Sequence, residues 1–116
     1  YFNVFGERQD PTSQYAAVVS TFIEAIQNNS VPIIFGDGTQ SRDFTHIENI
    51  IHANLLAASH HKPLRGQVFN VGTSSMPSLL ELLQAMTGHK DVTVDFQPKR
   101  SGDHASGVPW ASAVAR

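Results

Sequence analysis

Aromatic and β-branched residues open the chain, and Tyr1-Phe2-Asn3-Val4-Phe5 reads as a strand closed by Gly6. It starts in mid-strand on a residue other than Met, so the chain is expected to be cut from something longer. Residues 7 to 14 are polar and contain Pro11, which predicts a loop. Tyr15, Val18, Val19, Phe22, Ile23 and Ile26 then share one helical face, predicting a helix that Asn28-Asn29-Ser30 ends. Val31 to Phe35 is a short apolar strand, with Pro32 confining it to an edge or a first pairing position. Gly36-Asp37-Gly38 turns the chain. After the polar stretch from Thr39 to Asp43, the residues Ile47, Ile50, Ile51, Leu55 and Ala58 repeat at helical spacing up to the breaker His60-His61-Lys62-Pro63. Gln67 to Val71 reads as another strand, stopped by Gly72. Ser78 followed by Glu81 is a capping box ahead of Leu79, Leu82, Leu83 and Met86, with Gly88 as the stop. Val92, Val94 and Phe96 alternate with polar residues, as in a strand with one buried face. Strand and helix alternate throughout, which predicts an α/β fold with mixed strands and three main helices. Past Asp103 the periodicity is lost, and residues 104–116 are expected to be a weakly ordered tail.

Composition narrows what such a fold can do. With 116 residues, 41% hydrophobic and 16% charged, the chain suits one small globular domain and is too apolar for a disordered segment. Eight basic residues against ten acidic ones give a formal charge of −2 without a Lys/Arg cluster, which argues against a nucleic-acid surface. No apolar run approaches the roughly 20 residues of a membrane span, and no signal-peptide pattern opens the chain. A membrane partner is therefore not expected. The absence of cysteine removes disulfides, thiolate nucleophiles and Cys-based zinc sites, and makes the cytoplasm the default compartment.

Candidate chemistry is sparse. The six histidines include no i, i+4 pair that aims two imidazoles at one ion, so no metal site is expected. No Gly-x-Ser-x-Gly elbow occurs, and Gly36-x-Gly38 lacks both a third glycine and the Lys-Ser/Thr of a phosphate loop. Arg42-Asp43-Phe44 precedes a helix start, where a guanidinium can hold a phosphate bidentately; a local Arg42–Asp43 surface pair is the alternative. Arg100-Ser101-Gly102-Asp103 repeats the theme beside a flexible glycine, and from chemistry alone a solvated tail is the favoured explanation.

Seven segments taken in order change these odds: Tyr-Phe-Asn-Val-Phe-Gly (1 to 6), Arg-Gln-Asp-Pro (8 to 11), Tyr-Ala-Ala-Val (15 to 18), Ile-Phe-Gly-Asp-Gly (34 to 38), Ser-Arg-Asp-Phe (41 to 44), Val-Phe-Asn-Val-Gly (68 to 72) and Arg-x-Gly-Asp (100 to 103). Together they resemble the C-terminal part of extended short-chain dehydrogenases/reductases, the NAD-dependent nucleotide-sugar epimerases and dehydratases. The wording of residues 8–17 and 36–54 looks most similar to UDP-N-acetylglucosamine 4-epimerases of bacterial polysaccharide synthesis.

The resemblance implies that residues 1–103 are the substrate-binding half of such an enzyme. Asn3 would hydrogen-bond the diphosphate or sugar, and Tyr1 and Phe2 would line the nicotinamide side of the cofactor. Ile33 and Phe35 would hold the uracil, Arg42 the diphosphate, and Arg100 with Asp103 the second phosphate and the ribose. The family's cofactor is NAD, which calls for a glycine-rich fingerprint and a Tyr-x-x-x-Lys pair. Tyr1 is followed four residues on by Phe5 and Tyr15 by Val19, so the sequence holds no such pair, and no glycine fingerprint either. No catalytic residue and no NAD of its own are therefore expected, and the chain alone should not turn over. After Asp103 the family's usual Ser and Ala-Asp words are replaced by His104-Ala105-Ser106-Gly107, which weakens the role for Asp103 more than that for Arg42. The alternative is a non-enzymatic module that completes its fold by self-association, as a homo-oligomer.

Overall fold

A computed structural model describes residues 1–10, 12 and 18–99. Its seven elements are β1 (Val4–Phe5), α1 (Val18–Gln27), β2 (Ile33–Phe35), β3 (Thr45–His46), α2 (Ile47–Ala58), α3 (Leu79–Met86) and β4 (Asp95–Gln97). The apolar face read from the sequence brings Phe22 of α1 onto Ile34 of β2, and Leu79 and Leu83 of α3 close the cluster. Phe22 and Ile34 are each only 1% exposed, so this contact is the centre of the core. Val18, Ile26, Phe44, Leu80, Val92 and Val94 pack around it.

Two parallel strand pairs flank that core. β2 pairs with β4 in the register Ile33↔Asp95, Ile34↔Phe96, Phe35↔Gln97, and β1 pairs with β3 as Val4↔Thr45 and Phe5↔His46. Parallel partners need long crossovers, and both pairs have them, with α2 and α3 inside the β2–β4 connection. Among the described residues the antiparallel contribution is a single bridge, Ser41↔Ser78. Pro32 lies just before β2, where its missing N–H is harmless, while its carbonyl accepts from the Asp95 amide at 3.0 Å.

The start of α3 is built as the sequence indicates. Ser78 Oγ accepts from the Glu81 amide at 3.2 Å, and the Glu81 carboxylate accepts from the Ser78 amide at 2.8 Å. α2 is capped by His46, whose Nδ1 accepts from the Glu48 amide at 3.4 Å, while the Phe5 ring meets the His46 ring edge-on with centroids 5.2 Å apart. Gly6 makes that junction possible, because a Cβ there would collide with the Ile47 side chain.

Four sequence expectations shift. Gln67–Val71 forms no strand; Val68 is 90% exposed, and no described strand lies alongside to bond its backbone. The first strand is shortened to Val4–Phe5 because Asn3 takes a positive φ of 43°, which ends the extended geometry. The last strand slides to 95–97: Val92 and Val94 pack on the core outside the ladder, and Phe96 is half exposed. Thr45–His46 is a strand in what reads as the approach to a helix; two residues are too few to leave a periodic signal. Tyr15 and the residues after Lys99 lie outside the described residues. No described helix is long and apolar enough to cross a membrane.

Candidate functional site

The segment from Phe35 to Phe44 joins β2 to β3, and it is anchored along its length. Gln40 Nε2 donates to the Phe35 carbonyl at 2.6 Å, closing the turn, and its Oε1 is buried with no partner among the described residues. Asp37 accepts from the Thr39 amide and hydroxyl at 3.0 and 2.7 Å. The Gly38 and Gln40 carbonyls accept from the Leu80 and Leu79 amides at 3.3 and 3.2 Å, satisfying donors at the start of α3 that no helical partner can reach. Gly38, at φ +77°, allows this approach: a Cβ would lie 2.8 Å from Leu80 Cγ.

Arg42 follows directly. Its amide donates to the Pro77 carbonyl at 3.3 Å, and its Nη1 donates to the Ser41 carbonyl at 2.8 Å. Asp43 sends its carboxylate across to residues 73–74, where it accepts from the Thr73 hydroxyl at 2.6 Å, the Thr73 amide at 2.9 Å and the Ser74 amide at 2.9 Å. Burial pushes the Asp43 carboxyl up, but the Thr73 hydroxyl and the Thr73 and Ser74 amides outweigh it and hold the group below the usual aspartate value. Gly72 clears the path, since a Cβ there would sit 2.6 Å from Asp43 Oδ2. From the opposite side, Asn3 Nδ2 donates to the Asp43 carbonyl at 3.2 Å and the Asn3 carbonyl accepts from the Thr45 amide at 3.2 Å.

The sequence candidates therefore divide. Asn3 meets the residue next to Arg42, its side chain donating to the Asp43 carbonyl. Phe35 lies at the other end of the same anchored segment, with Ile33 on the same face of β2. Tyr1 faces elsewhere: its hydroxyl donates to Asn54 Oδ1 of α2 at 2.5 Å, and it lines a cleft of about 830 Å³ with Asn54, His60, Gln67 and Phe69. Phe2 is half-buried between Tyr1 and Asn3 in the chain. Arg100 and Asp103 lie outside the described residues. Sequence reading missed Thr73, Ser74 and Gly72; Asp43 was visible only as a neighbour for Arg42. The signal for them is the short run Gly-Thr-Ser-Ser after an apolar stretch, rich in donors but without spacing that names an acceptor.

Among the described residues, no three His, Asp or Glu side chains come together to hold a metal. Gly36 and Gly38 do not form a dinucleotide cradle. The space left by their missing side chains is occupied by Lys99 and Leu80, and no helix starts after them.

Comparison with known proteins places the chain in a family. Residues 1–72, more than half the chain, match the model of the NAD dependent epimerase/dehydratase family. A UDP-glucose 4-epimerase of Mycolicibacterium smegmatis is 38% identical over 103 residues, covering 87% of this chain and 32% of that protein. The UDP-N-acetylglucosamine 4-epimerase of Methanobrevibacter ruminantium M1, solved with UDP-N-acetylmuramic acid, superposes with a TM-score of 0.82 at 40% identity, over 91% of this chain and 34% of that one. The UDP-glucuronic acid 4-epimerase of Bacillus cereus, solved with UDP-glucuronic acid and NAD, gives 0.76 at 32% identity, over 91% and 33%. The chain thus spans about a third of the length of these relatives. Their α/β fold over its own length is the extended short-chain dehydrogenase/reductase fold, and the chain belongs to the NAD dependent epimerase/dehydratase family.

Proposed function

We propose that this chain is the nucleotide-sugar-binding part of a UDP-sugar 4-epimerase, with UDP-N-acetylglucosamine as the substrate suggested by its sequence wording. The observation that carries the reading is the anchored segment from Phe35 to Asp43, which holds a candidate uracil face and a candidate diphosphate arginine on one tied stretch of backbone. A neutral pyrimidine is suited by the apolar surface of Ile33 and Phe35, and a diphosphate by the planar fork of Arg42. Asn3 adds a polar group beside that arginine, Arg100 the second phosphate contact and Asp103 a ribose contact. In the same reading Tyr1 and Phe2 would line the nicotinamide side of the cofactor. NAD supplies the transient hydride carrier when bound in family members; the described residues offer it no pyrophosphate cradle, so no hydride step is assigned to this chain.

Labelled chain titrated with UDP should show amide shifts around Phe35 and Arg42, with affinity no tighter than about millimolar, because only part of a site is present. Arg42→Ala should abolish the shifts and His60→Ala should leave them intact. No shifts at several millimolar UDP would overturn the reading. Incubation with NAD and UDP-N-acetylglucosamine should give no 4-epimer by chromatography, and product from this chain alone would disprove its assignment as a binding part.

A second reading is favoured by one observation. Leu55 and Leu56 of α2 and Val68 and Phe69 beside it are all more than half exposed. Such a face fits a non-enzymatic module that closes on another copy of itself, in a cysteine-free chain suited to the cytoplasm.

A further inference from the structure

Arg42 and Asn3 come from distant parts of the chain, and a diphosphate contact needs them held at a fixed spacing. The bonds around Asp43 connect the two. The Asp43 carboxylate is seated on the turn at 73–74 by the Thr73 hydroxyl at 2.6 Å and two amides at 2.9 Å, while the Asp43 carbonyl takes the Asn3 side chain at 3.2 Å. One residue earlier, the Arg42 amide is tied to Pro77, so the peptide carrying Arg42 is held from both flanks. Asn3 at φ 43° and Ser74 at φ 61° sit in the left-handed region without being glycine, a conformation that persists where surrounding bonds impose it. Gly72 cannot gain a side chain without displacing the carboxylate.

We propose that Asp43 is a positioning residue: by bridging residues 73–74 and Asn3 it sets Arg42 and Asn3 at the separation that a nucleoside diphosphate requires. This rests on the diphosphate reading of Arg42 above. Asp43 acts through its neighbours and not on the ligand, because its carboxylate is taken up by the Thr73 hydroxyl and the Thr73 and Ser74 amides. The Asp43–Thr73 contact thereby decides phosphate recognition, and base recognition at Ile33 and Phe35 is left to the other end of the segment.

The test compares UDP with uridine, which lacks the phosphates, on the full chain and on Thr73→Val and Asp43→Asn. Amide shifts give both affinities, and hydrogen exchange at the Arg42 amide gives the order of the segment without any ligand. Expected is a loss of about tenfold in UDP affinity, the scale of one hydrogen bond to a charged group, with uridine binding unchanged and faster exchange at Arg42. Equal weakening of UDP and uridine, or unchanged exchange at Arg42 in both variants, would overturn the positioning role. If the unaltered chain shifted with neither compound, the binding reading itself would fall, and unchanged Arg42 exchange in the variants would then count separately against the clamp. Thr73→Val keeps the side chain's shape, so it remains informative if Asp43→Asn fails to fold.

Discussion

At the scale of single residues, Asp43 ties folding to pH. Burial alone would raise its carboxyl, but the Thr73 hydroxyl and the amides of Thr73 and Ser74 hold it below the ordinary value of 3.8 in the folded chain. A folded pKa below the unfolded one contributes stability that is complete above about pH 4 and is lost as pH falls through the folded value. Glu81, through the Ser78 amide and hydroxyl, and Asp37, through the Thr39 hydroxyl and amide, are displaced in the same direction, so the acid limb is shared. Thermal melts of the native chain should therefore fall in melting temperature as pH drops from about 5 to 3, and Thr73→Val should lie below it at neutral pH but converge on it in acid. Parallel curves across that range would mean that the Thr73 hydroxyl does not set the Asp43 carboxyl. Arg42 was legible in the sequence as a phosphate candidate because guanidinium chemistry is local to one residue. The bond from Asp43 to Thr73 was not, since a contact thirty positions away leaves no mark on spacing.

Among the elements, legibility followed periodicity and length. The three helices stand where the 3.6-residue pattern put them, and the Ser78–Glu81 box is formed atom for atom. Strand reading failed where a strand's existence depends on a neighbour. Gln67–Val71 has the composition of a strand, but with no described partner its backbone makes none of the ladder bonds that define one. β3 shows the converse, a two-residue strand created by pairing with β1 and not by propensity. This separation predicts unequal costs for substitutions within α3. Leu83→Ala opens a cavity beside Phe22 and Ile34 and should cost about 2–5 kcal/mol. Ser78→Ala removes a cap whose loss usually costs about 1 kcal/mol, although here the Phe35–Asp43 segment also rests on the start of α3. Denaturant midpoints should therefore rank native above Ser78→Ala above Leu83→Ala. A cap variant at least as damaging as the core variant would show that α3 holds the segment more than the core does.

For the whole molecule, the balance between buried and exposed apolar side chains decides what it does in solution. Among the described residues the buried hydrophobic set is small, Val19, Phe22, Ile34, Ile50, Leu79 and Leu83, whereas Ile51, Leu55, Leu56, Val68 and Phe69 lie open on α2 and the segment that follows it. A patch of this kind, beside a stretch that pairs with no described strand, would gain from a cover, because apolar burial and strand pairing would both act at the same edge. Two covers fit: a second copy, or the cofactor-binding part that family members carry. Sedimentation through the micromolar range should show reversible self-association of the chain, and Val68→Asp with Leu55→Asp should leave it monomeric, since an aspartate in a closed apolar contact must be desolvated without a partner. A separately produced NAD-binding part of a related epimerase should compete for the same face, so adding it should dissolve the self-associated form and restore 4-epimer formation from a UDP-sugar. A well-folded monomer at every concentration, unmoved by that addition, would mean that the exposed face has no role in assembly; self-association without restored activity would favour the non-enzymatic module over the binding part.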